Sequence, residues 1–231
     1  MPIPQSESRH NFTESLDEVH RGMTELGALV LENSRRMSEA ILENRLDLAR
    51  AVVAGDEEID RRYSALEHRV FEIMARQQPV AGDLRFLVSA TRILYEIERS
   101  GDLAVNAAKG LLRRDGYTLP PGVQSLVARI SRASTDLFAD GLEVLAALDP
   151  SGAVRIEAGD DEVDNLTGEV YAAIARNADD MGFDLAIELS RVGRYLERIA
   201  DHAVNIAEHV VFIATGEFPE DGDPVAVRDE A

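Results

Sequence analysis

Cysteine and tryptophan are absent from the 231 residues. The lack of cysteine removes disulfide frameworks, thiolate zinc sites, iron–sulfur clusters and cysteine nucleophiles at once. Lysine is nearly absent as well: Lys109 is the only one, so almost every cation is an arginine. No run of about 18 consecutive apolar residues is present. The segment from Met1 to Asn11 holds Pro2 and Pro4 but no apolar stretch of the signal-peptide kind. These absences predict a cytoplasmic protein that reaches a membrane only through its partners. Positive charge is also scarce, with 24 basic residues against 43 acidic ones and a net charge of −19. Such a chain is repelled by phosphate backbones and anionic lipid, which excludes nucleic acid as a natural partner.

Strand-like alternation and Asn-Gly hairpin turns are missing too, whereas apolar residues recur at helical spacing along most of the length. The pattern predicts an all-α protein. Breakers fall at Gly55, Pro79 to Gly82, Gly116 to Gly122, Asp149 to Gly152, Gly159, Met181-Gly182 and Gly216 onward. They predict six helices: Asn11 to Ala54, Asp56 to Gln78, Val80 to Asp115, Gly122 to Leu148, Asp160 to Ala178 and Gly182 to Thr215. Residues 1–10 read as irregular and residues 217–231 as an acidic, disordered tail.

The chain repeats itself. Ala54-Gly55-Asp56-Glu57-Glu58-Ile59-Asp60 returns as Ala158-Gly159-Asp160-Asp161-Glu162-Val163-Asp164. Ile97-Glu98-Arg99-Ser100-Gly101-Asp102-Leu103-Ala104-Val105-Asn106 returns as Leu196-Glu197-Arg198-Ile199-Ala200-Asp201-His202-Ala203-Val204-Asn205. Two separate motifs recurring in one order predict two tandem, pseudo-symmetric three-helix bundles, residues 11–116 and 117–216, joined near Gly116 to Gly122.

Each half pairs an Asp-x-x-x-Asp with a Glu-x-x-x-Asp-x-x-x-Asn. Residues four apart stack on one helix face, so Asp56 with Asp60, and Glu98 with Asp102 and Asn106, form lines of oxygen donors. Asp160 with Asp164, and Glu197 with Asp201 and Asn205, repeat them. On a helical wheel the stripe Ala90, Leu94, Ile97, Gly101, Ala104, Ala108 leaves Glu98 at its border and turns Asp102 and Asn106 outward. The carboxylates therefore belong at the surface of a bundle and not in a central cavity. Oxygen donors of this kind suit Mg, Ca, Mn or Fe. His202 offers a nitrogen beside Asp201, but its counterpart is Leu103. A solvated acidic face is the plain alternative for one such motif; duplication of both favours a bound cation.

The usual catalytic signatures are not found. The only Glu-x-x-His is Glu7 to His10, in the irregular N-terminus, which excludes a ferritin-like di-iron centre. There is no Gly-rich phosphate cradle, no Gly-x-Ser-x-Gly and no His-Glu-x-x-His, so the chain reads as a non-enzyme, with a carboxylate-metal enzyme as a remote alternative. His20 and His68 read as ordinary surface or edge residues.

The doubled Asp-x-x-x-Asp, the turn Gln77-Gln78-Pro79-Val80-Ala81-Gly82-Asp83-Leu84-Arg85 and the doubled Glu-Arg-x-x-Asp-x-Ala-x-Asn together resemble the PhoU family of phosphate-uptake regulators, from about Asn11 to Gly216. That resemblance implies two tandem three-helix bundles, each with a carboxylate patch able to hold iron or zinc, or other divalent cations. Asp56, Asp60, Glu98 and Asp102 with Asn106 would form one patch; Asp160, Asp164, Glu197 and Asp201 with Asn205 would form the other. It further implies a negative regulator of phosphate uptake and of the phosphate-starvation response. The implied partners are the ATPase subunit of the phosphate ABC transporter and a sensor histidine kinase, and the implied assembly is a homodimer. A low-affinity phosphate permease is the alternative partner. Leu103 and Ala107 stand where the family often has His and Ile, and the second half lacks the Pro-containing turn.

Overall fold

The computed structural model describes residues 5–219, with side chains from His10 onward. Seven α-helices account for most of them: α1 Gln5–Leu42, α2 Leu46–Gln77, α3 Ala81–Arg113, α4 Pro121–Ala147, α5 Ala153–Arg176, α6 Ala178–Met181 and α7 Phe183–Thr215, with a 3₁₀ turn at Pro150–Gly152 before α5. No strand occurs among the described residues. Helices α1, α2 and α3 pack as one bundle and α4, α5 and α7 as another, and the two join through α1 on α4 and α3 on α7.

Several boundaries differ from the sequence expectation. The N-terminal segment is helical from Gln5, and residues 1–4 lie outside the described residues. The first turn falls at residues 43–45, where Asn44 adopts a positive φ of 54°, not at Gly55. Gly55 lies inside α2, and the reason is packing. A Cβ there would stand 3.3 Å from Asn33 Oδ1, while Asn33 Nδ2 donates to the Val52 carbonyl at 3.1 Å. The helix accepts the roughly 1 kcal/mol propensity cost of glycine because the neighbouring helix comes that close. Gly159 repeats the device in α5, where a Cβ would meet Leu137 Cδ1. The Asp-x-x-x-Asp motifs therefore sit mid-helix, not at helix starts, and α5 begins at Ala153 instead of Asp160. The short α6 was not foreseen. Phe218, assigned by sequence to the tail, stacks on Phe212 with ring centroids 4.4 Å apart; residues 220–231 lie outside the described residues.

The two loops at one end of the first bundle are tied together. Asn44 Oδ1 accepts from the Tyr117 backbone N–H at 2.9 Å and leaves no room for a side chain at Gly116, whose φ is 89°. Between the bundles, His20 Nε2 lies 2.8 Å from the Leu145 carbonyl oxygen. This residue is a bridge from α1 to α4 and not the free surface or edge histidine that its spacing suggested.

Helices α3 and α7 run antiparallel. Arg85 meets Gly216 at one end, Ser100 meets His202 in the middle, and Glu188 lies over Gly110 at the other end. The register that pairs the duplicated motifs therefore corresponds to a pseudo-two-fold axis passing between Gly101 and Ala200.

Candidate metal centres

Two helices present each patch. In the first bundle Asp56 and Asp60 come from α2 and Glu98 and Asp102 from α3; Asp60 is exposed and the other three are half-buried. Burial, and then the neighbouring Asp102, push the Glu98 carboxyl up to about 6, with Asp60 and Asp56 adding to the rise and Arg99 opposing it. Asp56 is raised by burial and by Asp60 and Asp102, against the pull of Lys109. Asp56 and Glu98 are thus raised by burial first and by the neighbouring carboxylates second, with Lys109 and Arg99 as opposing cations. Arg99 compensates in part through Asp102, Nη1 to Oδ2 3.2 Å.

The second patch is built alike from α5 and α7. Asp160 is pushed up to about 6 by burial and then by Asp201, Asp164, Asp161 and Glu197. Its Oδ1 is buried and finds no hydrogen-bond partner. Burial, Glu197 and Asp164 raise Asp201 against Arg194 and Arg198, and Arg194 pairs with Glu197. An orphaned buried carboxylate oxygen surrounded by like charges is the donor set a hard cation satisfies. Among the described residues, however, no three His, Asp or Glu side chains are closed around one point as a ready-made metal site.

The two asparagines differ in setting: Asn106 is exposed on α3, as Asp60 is on α2, and Asn205, half-buried on α7, lies within reach of the Glu96 carboxylate of α3. His202 is buried, with Nδ1 2.9 Å from Ser100 Oγ and Nε2 3.6 Å from Glu96 Oε2. Burial, with Arg198 and Arg99 nearby, lowers its pKa to about 4. His202 is thus a neutral junction residue turned toward Ser100 and Glu96 of α3.

This junction went unread in the sequence. Glu96, half-buried, is raised by burial and held down by Asn205, Arg198, Arg92 and Arg99. The signal was available: Glu96 and Ser100 are four apart on α3, on the flank beside the apolar stripe. Their second-half counterparts, Tyr195 and Ile199, break the repeat, so a search for duplicated residues passes over them.

Comparison with known proteins agrees with this architecture. The PhoU domain matches residues 23–111 and again 127–210. The chain is 36% identical over 214 residues to the phosphate-specific transport system accessory protein PhoU homolog 1 of Mycobacterium leprae, covering 92% of this chain and 96% of that one. It is 34% identical to PhoU homolog 2 of Mycobacterium tuberculosis, covering 91% of this chain and all of the relative. The crystal structure of PhoU from Pseudomonas aeruginosa superposes with a TM-score of 0.83 at 25% identity, over 89% of this chain and 100% of the other. The phosphate transport system regulatory protein PhoU from Streptococcus pneumoniae superposes with a TM-score of 0.82 at 26% identity, over 90% and 99%.

Proposed function

The chain belongs to the PhoU family, and from that premise we propose that it is an accessory protein of phosphate transport that damps uptake and represses the phosphate-starvation response when phosphate is plentiful. It acts in the cytoplasm as a non-enzymatic adaptor between the ATPase subunit of the phosphate ABC transporter and a sensor histidine kinase. The observation that supports this reading is the match of both halves to the PhoU domain, together with the likeness of nearly the whole chain to proteins named as accessory proteins of the phosphate-specific transport system. No described helix is long and apolar enough to cross a membrane, which fits docking through partners.

In this proposal Asp56, Asp60, Glu98 and Asp102, and separately Asp160, Asp164, Glu197 and Asp201, hold divalent or iron cations. A bound cation supplies positive charge that relieves the mutual repulsion raising Glu98 and Asp160. The carboxylates themselves repel phosphate, so the chain takes its signal from the conformation of the transporter. Calorimetric titration of metal-free protein with phosphate should show no tight, stoichiometric binding; such binding would replace the adaptor with a direct receptor. The decisive test is genetic. Deleting the gene should switch on secreted alkaline phosphatase in high phosphate, and the intact gene should silence it again. A silent reporter in the deletion strain would refute the regulatory role. An adjacent permease gene, in place of an ABC cassette, would favour the permease as partner.

A further inference from the structure

Arg85 and Arg92 on α3 enter no ion pair among the described residues, in a chain with 43 acidic groups. The Nε of Arg85 is buried without a hydrogen-bond partner, and so are Ser89 Oγ and His209 Nδ1. Ser89 is fully buried, one turn from each arginine, on the stripe of α3 that reaches α7 through Glu96 and Ser100. His209 stands beside Arg92 from the opposite helix: burial, and then the charge of Arg92, lower its pKa to about 4, so its ring is neutral. Phe218 packs edge-on against that ring, with centroids 5.4 Å apart, and Arg85 lies along the neighbouring Gly216. Two guanidinium groups, a hydroxyl and an imidazole thus meet at one end of the α3–α7 seam with hydrogen-bonding capacity unused. The nearby acids do not use it. Glu96 shares Arg92 with Arg99 and Arg198 and lies within reach of Asn205, Glu217 is exposed, and Asp83 falls on the opposite side of α3 from Arg85.

The other half of the chain carries the missing acid. The register that sets Ile97 on Leu196 also sets Arg92 on Arg191, Ser89 on Glu188 and Gly110 on His209. At the far end of the seam the buried Glu188 lays its carboxylate over Gly110, with Arg191 Nη1 at 3.6 Å and Arg113 Nη2 at 3.7 Å. The near end keeps the arginine and puts a serine where the glutamate stands, so donors gather there around no acceptor. A buried donor without a partner costs about 1–3 kcal/mol, which an anion seated among these groups relieves.

We infer that Arg85, Ser89, Arg92 and His209 form a binding site for an oxyanion, which brings to this end of the α3–α7 pair the charge that Glu188 supplies at the other. Guanidinium groups bind paired oxygens through charge-assisted hydrogen bonds, so the ligand class is a small carboxylate or its sulfate-like equivalent. Two sources offer that chemistry: a free anion, or the acids Glu220, Asp221 and Asp223, which follow Phe218 in the sequence and would act at the high effective concentration of a tethered group. Arg92 is open to solvent, and a free anion is held there at roughly millimolar strength, well short of the tight, stoichiometric titration that marks a phosphate receptor. The site therefore stands apart from the adaptor reading.

The experiment titrates malonate into isotopically labelled full-length protein at constant ionic strength and follows the His209 ring and Ser89 amide resonances by NMR. Both should shift saturably, and Arg92→Gln and Arg85→Gln should each raise the dissociation constant several-fold or more. Arg92 is exposed, so Arg92→Gln should melt like the wild type. A Glu220→Gln, Asp221→Asn, Asp223→Asn variant separates the two sources. If the chain's own acids occupy the site, this variant binds malonate several-fold more tightly than the wild type; if the occupant is a free anion, the two titrate alike. Shifts that fail to saturate in both the wild type and the triple variant, or an affinity unchanged by Arg92→Gln, would overturn the site.

Discussion

The two bundles share their surface motifs and differ inside. Where the first has Ser34, fully buried with a hydroxyl lacking any partner, the register of Gly55 with Gly159 places Phe138, also fully buried, in the second. Where the first has buried Met37, the second has Gly141, and a Cβ there would come within 3.1–3.3 Å of Ala203. Asn33 beside Gly55 becomes Leu137 beside Gly159. The patches diverge more gently: the carboxyl pushed to about 6 is Glu98 on the third helix of the first bundle and Asp160 on the second helix of the second. A core tolerates exchange of volume between neighbouring positions as long as the total is kept. An array of like charges retained twice has no such packing reason.

The largest break in the comparison comes from the cores. Phe138→Ala should cost about 3–5 kcal/mol in chemical denaturation, whereas Ser34→Ala should be neutral or slightly stabilising, because it deletes an unsatisfied buried hydroxyl. Equal costs would mean that the second core does not depend on Phe138 as its burial implies.

Next is His202, which has no counterpart in the first bundle. Its pKa of about 4 lies below the ordinary 6.5, so the folded state resists protonation. The stability from the neutral imidazole is complete above pH 6.5 and is lost as pH falls toward 4, on the order of 2–3 kcal/mol. Replacing His202 by leucine, the residue at the matching position 103, should flatten that acid limb in a pH series of unfolding curves.

Gly141→Ala follows, at about 1–2 kcal/mol, since the nearest atoms are Ala203 Cβ, O and Cα, none of which can swing aside. Gly101→Ala is its control. There a Cβ would meet ordinary contacts at 3.5 Å, so the melting temperature should hold or rise.

The smallest effect separates the patches. Glu98 and Asp160 have folded pKa values raised above 4.5 and 3.8 respectively. The folded state therefore binds their protons more tightly, and stability falls as pH rises from the ordinary carboxyl range through 6. Both are only half-buried, so solvent screening leaves each a contribution of only about 2 °C in melting temperature. Glu98→Gln should remove the first contribution and Asp160→Asn the second. Manganese or zinc should raise the melting temperature of the wild type at pH 7 more than that of either variant; equal shifts in all three would refute cation binding at the patches.

Periodicity and repetition made the all-α class, the tandem bundles and the carboxylate groups readable, because the apolar stripe of a packed helix and a duplicated motif are both written linearly. Gly55 misled because a glycine that breaks a helix and one that admits a neighbouring helix look identical without knowledge of what lies opposite. The contact of His202 was hidden for a related reason: it stands beside Asp201 in sequence, but its Nδ1 lies 2.9 Å from Ser100 Oγ of α3.

By itself, then, the sequence determined which faces of which helices are apolar and which carry charge, since side-chain direction along a helix follows from 3.6 residues per turn. Only the tertiary structure decided which faces meet. The antiparallel pairing of α3 with α7 and the burial of His202 depend on contacts between residues about a hundred positions apart, which no local period encodes.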